Sequence, residues 1–240
     1  MSRAESFDAL VLRRWDLGEA DRRLSLLTPG AGKMYVLARG ARRKGARTAS
    51  ATEPLMLLRC QVVRGPRNNV LAQVEVRRSF GRVRQDYLRL GAALTFLESL
   101  DACLEEGDPH PESYDLAERF LTAIEAPCEP LAWLAWADLE LLDQIGFRPN
   151  WGSGRSAAAL VSPMSGGVLE EGTTPPRDAF RRSGALLNAL RSLQDADAPP
   201  DDFPSVEATY TLLRFWREVA GRRLPAREAL VQSLTGHASE

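Results

Sequence analysis

The chain has 240 residues and a mass of 26.5 kDa, with 44% hydrophobic and 26% charged residues. That length suits one large or two small globular domains, and no run reaches the roughly 18–20 apolar residues of a membrane-spanning helix. A net charge of −1 hides a division: residues 1–90 hold 19 Lys and Arg against 8 Asp and Glu, whereas the remainder holds 12 against 24. A basic leading part joined to an acidic one points to a polyanion partner for the first and a different partner for the second.

The basic part reads as short strands. From Phe7, alternation of apolar and polar residues runs through Val11 to Trp15, with Asp16-Leu17-Gly18-Glu19 as the turn. Arg22–Thr28 is a second strand closed by Pro29-Gly30, and Lys33–Arg39 is a third. Leu55–Val63 is a fourth. Gly65-Pro66-Arg67-Asn68-Asn69 is a strong turn, and Val70–Arg78 follows as a fifth strand, with Val70, Ala72, Val74 and Val76 expected inward. Five strands in about 80 residues suit a small closed barrel of the OB type.

Between the third and fourth strands lies the segment from Gly40 to Thr52, with Arg42, Arg43, Lys44 and Arg47, small side chains and no large apolar residue. It is expected to be an exposed, mobile loop. Clustered cations repel one another unless a polyanion is present, and each Lys or Arg at a phosphate releases condensed counterions. Arg13, Arg14, Arg22, Arg23, Lys33 and Arg39 on the strands extend the basic face. Trp15, Tyr35 and Phe80 fall in the same region as candidate stacking partners for bases.

The rest reads as helical. Leucine-rich spacing of three and four predicts helices over Leu88–Leu104, Tyr114–Ile124, Leu131–Ile145, Arg177–Leu193, Val206–Val219 and Leu224–Leu234. Residues 147–176 break the pattern with repeated Gly and Pro and read as a loop-rich insert; Asp195–Pro204 reads as a linker. The expected organisation is a barrel over residues 1–82 and an α-helical domain over 83–240 containing the insert, an α+β multidomain chain.

Catalytic constellations are absent from the pattern. Gly30-Ala31-Gly32-Lys33 resembles the end of a phosphate-binding loop, but Leu27 and Met34 stand where that motif needs Gly and Ser or Thr. The histidines are His110, between two prolines, and His237 near the terminus. Cys60, Cys103 and Cys128 are scattered and support neither a disulfide framework nor a CxxC metal site. Met1-Ser2-Arg3-Ala4-Glu5 shows no signal-peptide pattern, so a cytoplasmic location is expected. No enzyme, cofactor, metal or membrane partner is expected.

The stretch from Ala9 to Arg22, with its Gly18-Glu19-Ala20-Asp21-Arg22 block, resembles the opening of the RecO family of recombination mediators. Leu27-Thr28, Gly32-Lys33, the Ala38-to-Arg43 block and Ser162-Pro163-Met164-Ser165-Gly166-Gly167-Val168 extend the resemblance along the whole chain. It implies an N-terminal OB-fold and a helical domain that often carries a zinc insert. It also implies binding to single- and double-stranded DNA, annealing of complementary strands, loading of RecA with RecR onto SSB-coated DNA, and binding of the SSB C-terminal tail. Such a protein is expected in the cytoplasm, associated with the nucleoid. The insert here departs from the pattern: neither Phe147–Ser153 nor Leu169–Thr173 contains a cysteine, so no thiolate zinc site is expected, and the insert is expected to be less ordered unless packing, by Trp151 for instance, replaces the metal. The candidate phosphate contacts are Arg13, Arg14, Arg22, Arg23, Lys33, Arg39, Arg42, Arg43, Lys44 and Arg47. The competing reading is a basic-barrel adaptor whose helical domain docks other proteins.

Overall fold

A computed structural model describes residues 4–46, 48–153 and 156–236. The chain divides into two compact units: Met1–Gln85 with Leu97–Glu125, and Asp86–Phe96 with Ala126–Glu240.

The first unit is built on a closed barrel of strands β1 (Ala4–Leu17), β2 (Asp21–Thr28), β3 (Gly32–Ala38), β4 (Leu57–Val63) and β5 (Asn69–Arg78), in the spatial order β1-β2-β3-β5-β4. This is the OB-type barrel. β1 is long because it serves two neighbours: Ala4–Leu10 pairs with β4 and Leu10–Leu17 with β2. A register shift between Val11 and Arg13 bends the strand where it passes from one partner to the other. The parallel contact of Val36 and Leu37 with Asn69 and Val70 closes the barrel.

Ala9, Val11, Leu24, Leu26, Met34, Val36, Leu58, Cys60 and Val62 fill the interior. β5 departs from the expected alternation. Two register shifts against β4 change its parity, so Leu71 and Val74 pack on the core while Ala72 is exposed and Val76 is 41% exposed. A strict period of two fails wherever a bulge adds a residue to one strand.

The described residues of 40–52 are not the open loop expected from composition. They form successive turns, with Arg43 N–H donating to Gly40 O, Ala46 N–H to Arg43 O and Thr52 N–H to Thr48 O. Ala41 and Ala51 join the barrel core, and Thr52 is buried. Small side chains fill gaps that large ones would not fit, so the lack of large apolar residues does not imply exposure.

The unit continues through α1 (Gly81–Gln85), the C-terminal part of α2 (Tyr87–Cys103) and α3 (Pro111–Glu125). Asp101 on α2 is buried. It accepts a 2.7 Å hydrogen bond from Ser25 Oγ, and its backbone oxygen accepts one of 2.8 Å from Lys33 Nζ. Gly107 N–H donates to Lys33 O at 2.8 Å. Gly32, at φ +65°, permits this approach, because a Cβ there would lie 2.0 Å from Asp108 O.

Burial, and then the Asp8 carboxylate, push the Cys60 thiol up to about 11 from its ordinary 9.0. A raised thiol favours the neutral form when folded, so this stabilisation is complete below pH 9 and is lost as pH rises towards 11. Cys60→Ala is expected to remove about 2–3 kcal/mol of that alkaline loss, read from urea midpoints at each pH. Equal slopes for wild type and variant would refute this.

The second unit holds the N-terminal part of α2, α4 (Pro130–Gln144), a small sheet, α5 (Gly184–Leu193), α6 (Ser205–Ala220) and α7 (Pro225–Gly236). The helical expectation over Arg177–Leu193 is corrected at its start. Phe180–Ser183 is strand β8, and Ser183 then caps α5, its hydroxyl accepting from Leu186 N–H. The described residues of the insert are not loose: β6 (Ala158–Ser162) and β7 (Gly167–Val168) form a sheet with β8 in the order β7-β6-β8. Trp151, 2% exposed, meets the Phe215 ring edge-on at 5.1 Å, and Asp178 accepts hydrogen bonds from Ser162 Oγ and Met164 N–H. Aromatic packing and one carboxylate clasp thus hold the segment. Among the described residues no group of three His, Cys, Asp or Glu side chains is placed to hold a metal ion, and no helix is long and apolar enough to cross a membrane.

Candidate nucleic-acid interface

Leu24, Leu26, Met34 and Val36 point into the barrel, so their strand neighbours face outward. Register then sets the outer face in rows. Trp15, Arg23 and Leu37 lie across β1-β2-β3 in one row, and Arg13, Ser25 and Tyr35 in the next. In the third row Leu10, Leu27 and Lys33 are all buried, and Ser25 and Lys33 are held by Asp101 of α2. The helix covers the third row and leaves the first largely open.

Exposed Arg23 and half-buried Trp15, Tyr35 and Leu37 therefore remain at the surface. The Trp15 and Tyr35 rings lie 5.9 Å apart at 59°. The Arg13 guanidinium sits 4.9 Å from the Trp15 ring centre and that of Arg23 4.3 Å from the Tyr35 ring centre. Two aromatic platforms are thus flanked by two cations. Beside them opens a cleft of about 510 Å³, lined by Leu17, Arg23, Tyr35, Leu37, Glu106 and the β4–β5 turn Gly65–Asn69. Asn69 Nδ2 donates to Tyr35 O at 3.2 Å and pins the base of that turn to β3.

The ten expected phosphate contacts separate into distinct environments. Lys33 is 6% exposed and its ammonium is bound to the Asp101 backbone oxygen, so it is corrected to a structural residue. Arg14, Arg22 and Arg42 join a network with Asp16 and Glu53. Arg14 reaches Asp16 at 3.0 Å and Glu53 at 2.8 Å, Arg22 reaches Glu53 at 3.0 Å and Asp16 at 3.4 Å, and Arg42 reaches Asp16 at 3.4 Å. Arg22 also donates to Ala49 O and Thr52 Oγ1, and Arg42 to Gly18 O. These three tie the β1–β2 end to the 40–52 turns. Arg13 is half exposed, 3.8 Å from Asp101. Among the described residues no ion pair engages exposed Arg23, Arg39, Arg43 or Lys44. Arg47 lies outside the described residues. Phe80 is 3% exposed and belongs to the core, so it offers no stacking face.

Sequence reasoning missed Arg67 and Asn68, which line the cleft. The usable signal was the barrel itself, because oligonucleotides bind OB-folds on the β2–β3 face and its adjoining loops. The face offers donors for phosphates and rings for bases. Among the described residues that line the cleft there is no histidine or cysteine; His110 pairs instead with Asp108 and Glu112, each at 3.2 Å.

Residues 1–80 match the family model described as Recombination protein O N terminal, and residues 84–199 the one described as Recombination protein O C terminal. The DNA repair protein RecO of Anaeromyxobacter dehalogenans strain 2CP-1 is 34% identical over 251 residues, covering 96% of each chain. That of Myxococcus xanthus is 31% identical over 235 residues, covering 94% of this chain and 96% of its own. That of Symbiobacterium thermophilum is 33% identical over 204 residues, covering 79% of each.

Proposed function

Since the chain belongs to the RecO family of DNA repair and recombination proteins, we propose that it binds single- and double-stranded DNA through the open β1-β2-β3 face and anneals complementary strands. With RecR it helps load RecA onto DNA coated by SSB, whose C-terminal tail it engages. It acts without breaking a covalent bond. The observation that carries this reading is the Trp15–Tyr35 pair flanked by Arg13 and Arg23 on the first two rows of the barrel face. Annealing needs neutralised phosphates and held, exposed bases, and Arg side chains with aromatic platforms supply both.

The unpaired cations Arg23, Arg39, Arg43 and Lys44 supply the sequence-independent part of the affinity. Arg14, Arg22 and Arg42 act at one remove, by fixing the turns from which Arg43 and Lys44 project. Charge reversal at Arg42 breaks the network as well as removing a cation, so Arg23 and Arg43 are the cleaner probes.

The test is annealing of two complementary labelled oligonucleotides by the full chain, with and without SSB coating. The expected result is acceleration in both cases, weakening as salt rises. A chain that binds neither strand, or binds without accelerating pairing, would leave the protein-adaptor reading in its place.

A further inference from the structure

Beyond residue 90 acids outnumber bases two to one, yet Arg177, Arg181, Arg182, Arg214 and Arg217 gather on one part of the second unit. Phe180 on β8 lies between two of them. The Arg182 guanidinium lies 4.5 Å from its ring centre and that of Arg214, on α6, lies 4.2 Å away. Arg182 is held in this pose: its Nε donates to Thr211 Oγ1 at 2.7 Å and its Nη1 to Arg181 O at 3.0 Å. Among the described residues, Arg177, Arg181 and Arg214 are exposed and no ion pair engages them. Burial, and then the positive charge of Arg214, push the Arg182 guanidinium down from its ordinary value, and the Glu207 carboxylate opposes the shift only in part. Nearby Asp178 is committed to Ser162 and Met164, and Arg217 to Glu228 at 3.3 Å.

We propose that the arginines flanking Phe180 form a second phosphodiester-binding site, which takes a DNA strand other than the one on the barrel. The inference rests on the DNA-binding reading above and extends it to a chain that holds two strands at once. Stacking on the ring holds the guanidinium planes and leaves their remaining N–H groups for phosphate oxygens, which bidentate arginine recognises well. Charged and polar residues predominate among those lining the two clefts beside the cluster, Arg181, Ser183, Glu207, Arg177 and Glu218 among them, with Tyr210, Pro163 and Ala179 as small or ring-bearing neighbours. An acidic protein segment would need a desolvated apolar anchor to bind tightly, whereas a sugar-phosphate chain needs only spaced cations.

The experiment uses the full chain saturated with donor-labelled oligothymidylate, titrated with acceptor-labelled oligothymidylate. The two cannot pair, so energy transfer reports two strands on one protein. Arg181→Glu with Arg214→Glu is expected to weaken second-strand capture by on the order of tenfold or more and to lower its salt slope by about 2, leaving first-strand affinity within about twofold. Arg181→Lys with Arg214→Lys, which keeps the charge, is expected to retain most of the capture. Thermal melts of both variants verify the fold. Unchanged second-strand capture would overturn the proposal, as would equal loss of both strands. Loss of binding to a glutamate-rich peptide with DNA capture intact would assign the cluster to an acidic protein instead. A wild-type chain that binds no first strand would sink the proposed function, and this inference with it.

Discussion

Asp138→Ala is expected to cost about 3–5 kcal/mol of stability, read as a fall in the urea midpoint of the full chain. Asp138 on α4 and Arg227 on α7 are both about 0% exposed, and two contacts of 2.6 Å join the guanidinium to both carboxylate oxygens. The Trp216 ring lies 5.3 Å from the same guanidinium. Burial pushes the Asp138 carboxyl up, and the facing Arg227 charge opposes that shift, so neither group is comfortable without the other. Truncating the aspartate removes the carboxylate that meets this desolvated cation in both contacts. Replacing both, Asp138→Leu with Arg227→Met, is expected to recover most of the loss, because an apolar pair of similar volume avoids both desolvation costs. A loss below about 1 kcal/mol in the single variant would show that water reaches the site.

On the barrel, Trp15→Ala and Tyr35→Ala are each expected to weaken single-strand binding by about 1–3 kcal/mol, the range for a base stacked on an aromatic ring. Each loss corresponds to roughly a fivefold to hundredfold rise in Kd. The salt slope is expected to stay the same, since no charge is removed. Arg23→Glu is expected to do the converse: weaker binding to every sequence and a slope lower by about 1. Tyr35→Phe keeps the ring and is expected to bind as wild type. All three positions are on the outer face, clear of the core residues that fill the barrel, so folding is expected to survive. Wild-type affinity in both alanine variants would remove the stacking face from the mechanism.

The exposed pair and the buried pair show two fates of the same residue types. Arginine opposite aspartate in the core of the second unit is a lock, whereas arginine beside an aromatic ring on the barrel is a donor left open. Sequence spacing does not separate them, since neither Asp138 nor Arg227 stands out from its helical neighbours.

Several features were legible before any coordinates. Alternation placed β1, β3 and β5, because a half-buried strand needs one apolar side chain in every two, and turn signals beside β2 and the apolar run of β4 placed the other two. Spacing of three and four placed the longer helices for the analogous reason. The charge division between the leading part and the rest was also plain, and the motif blocks carried the family likeness. Other features depend on which distant residues meet. Arg14, Arg22 and Arg42 read as three more free cations until folding brought Asp16 and Glu53 against them. Lys33 alternates like a surface residue, yet a helix beginning more than 50 positions later covers it. The cysteine-free insert read as less ordered unless packing such as that of Trp151 replaced the metal, and only the fold shows that Trp151 meets Phe215. Local pattern determined the elements because backbone geometry repeats over a few residues. The fate of each charge was decided by tertiary structure, because electrostatic pairing and burial depend on neighbours that only the folded chain supplies.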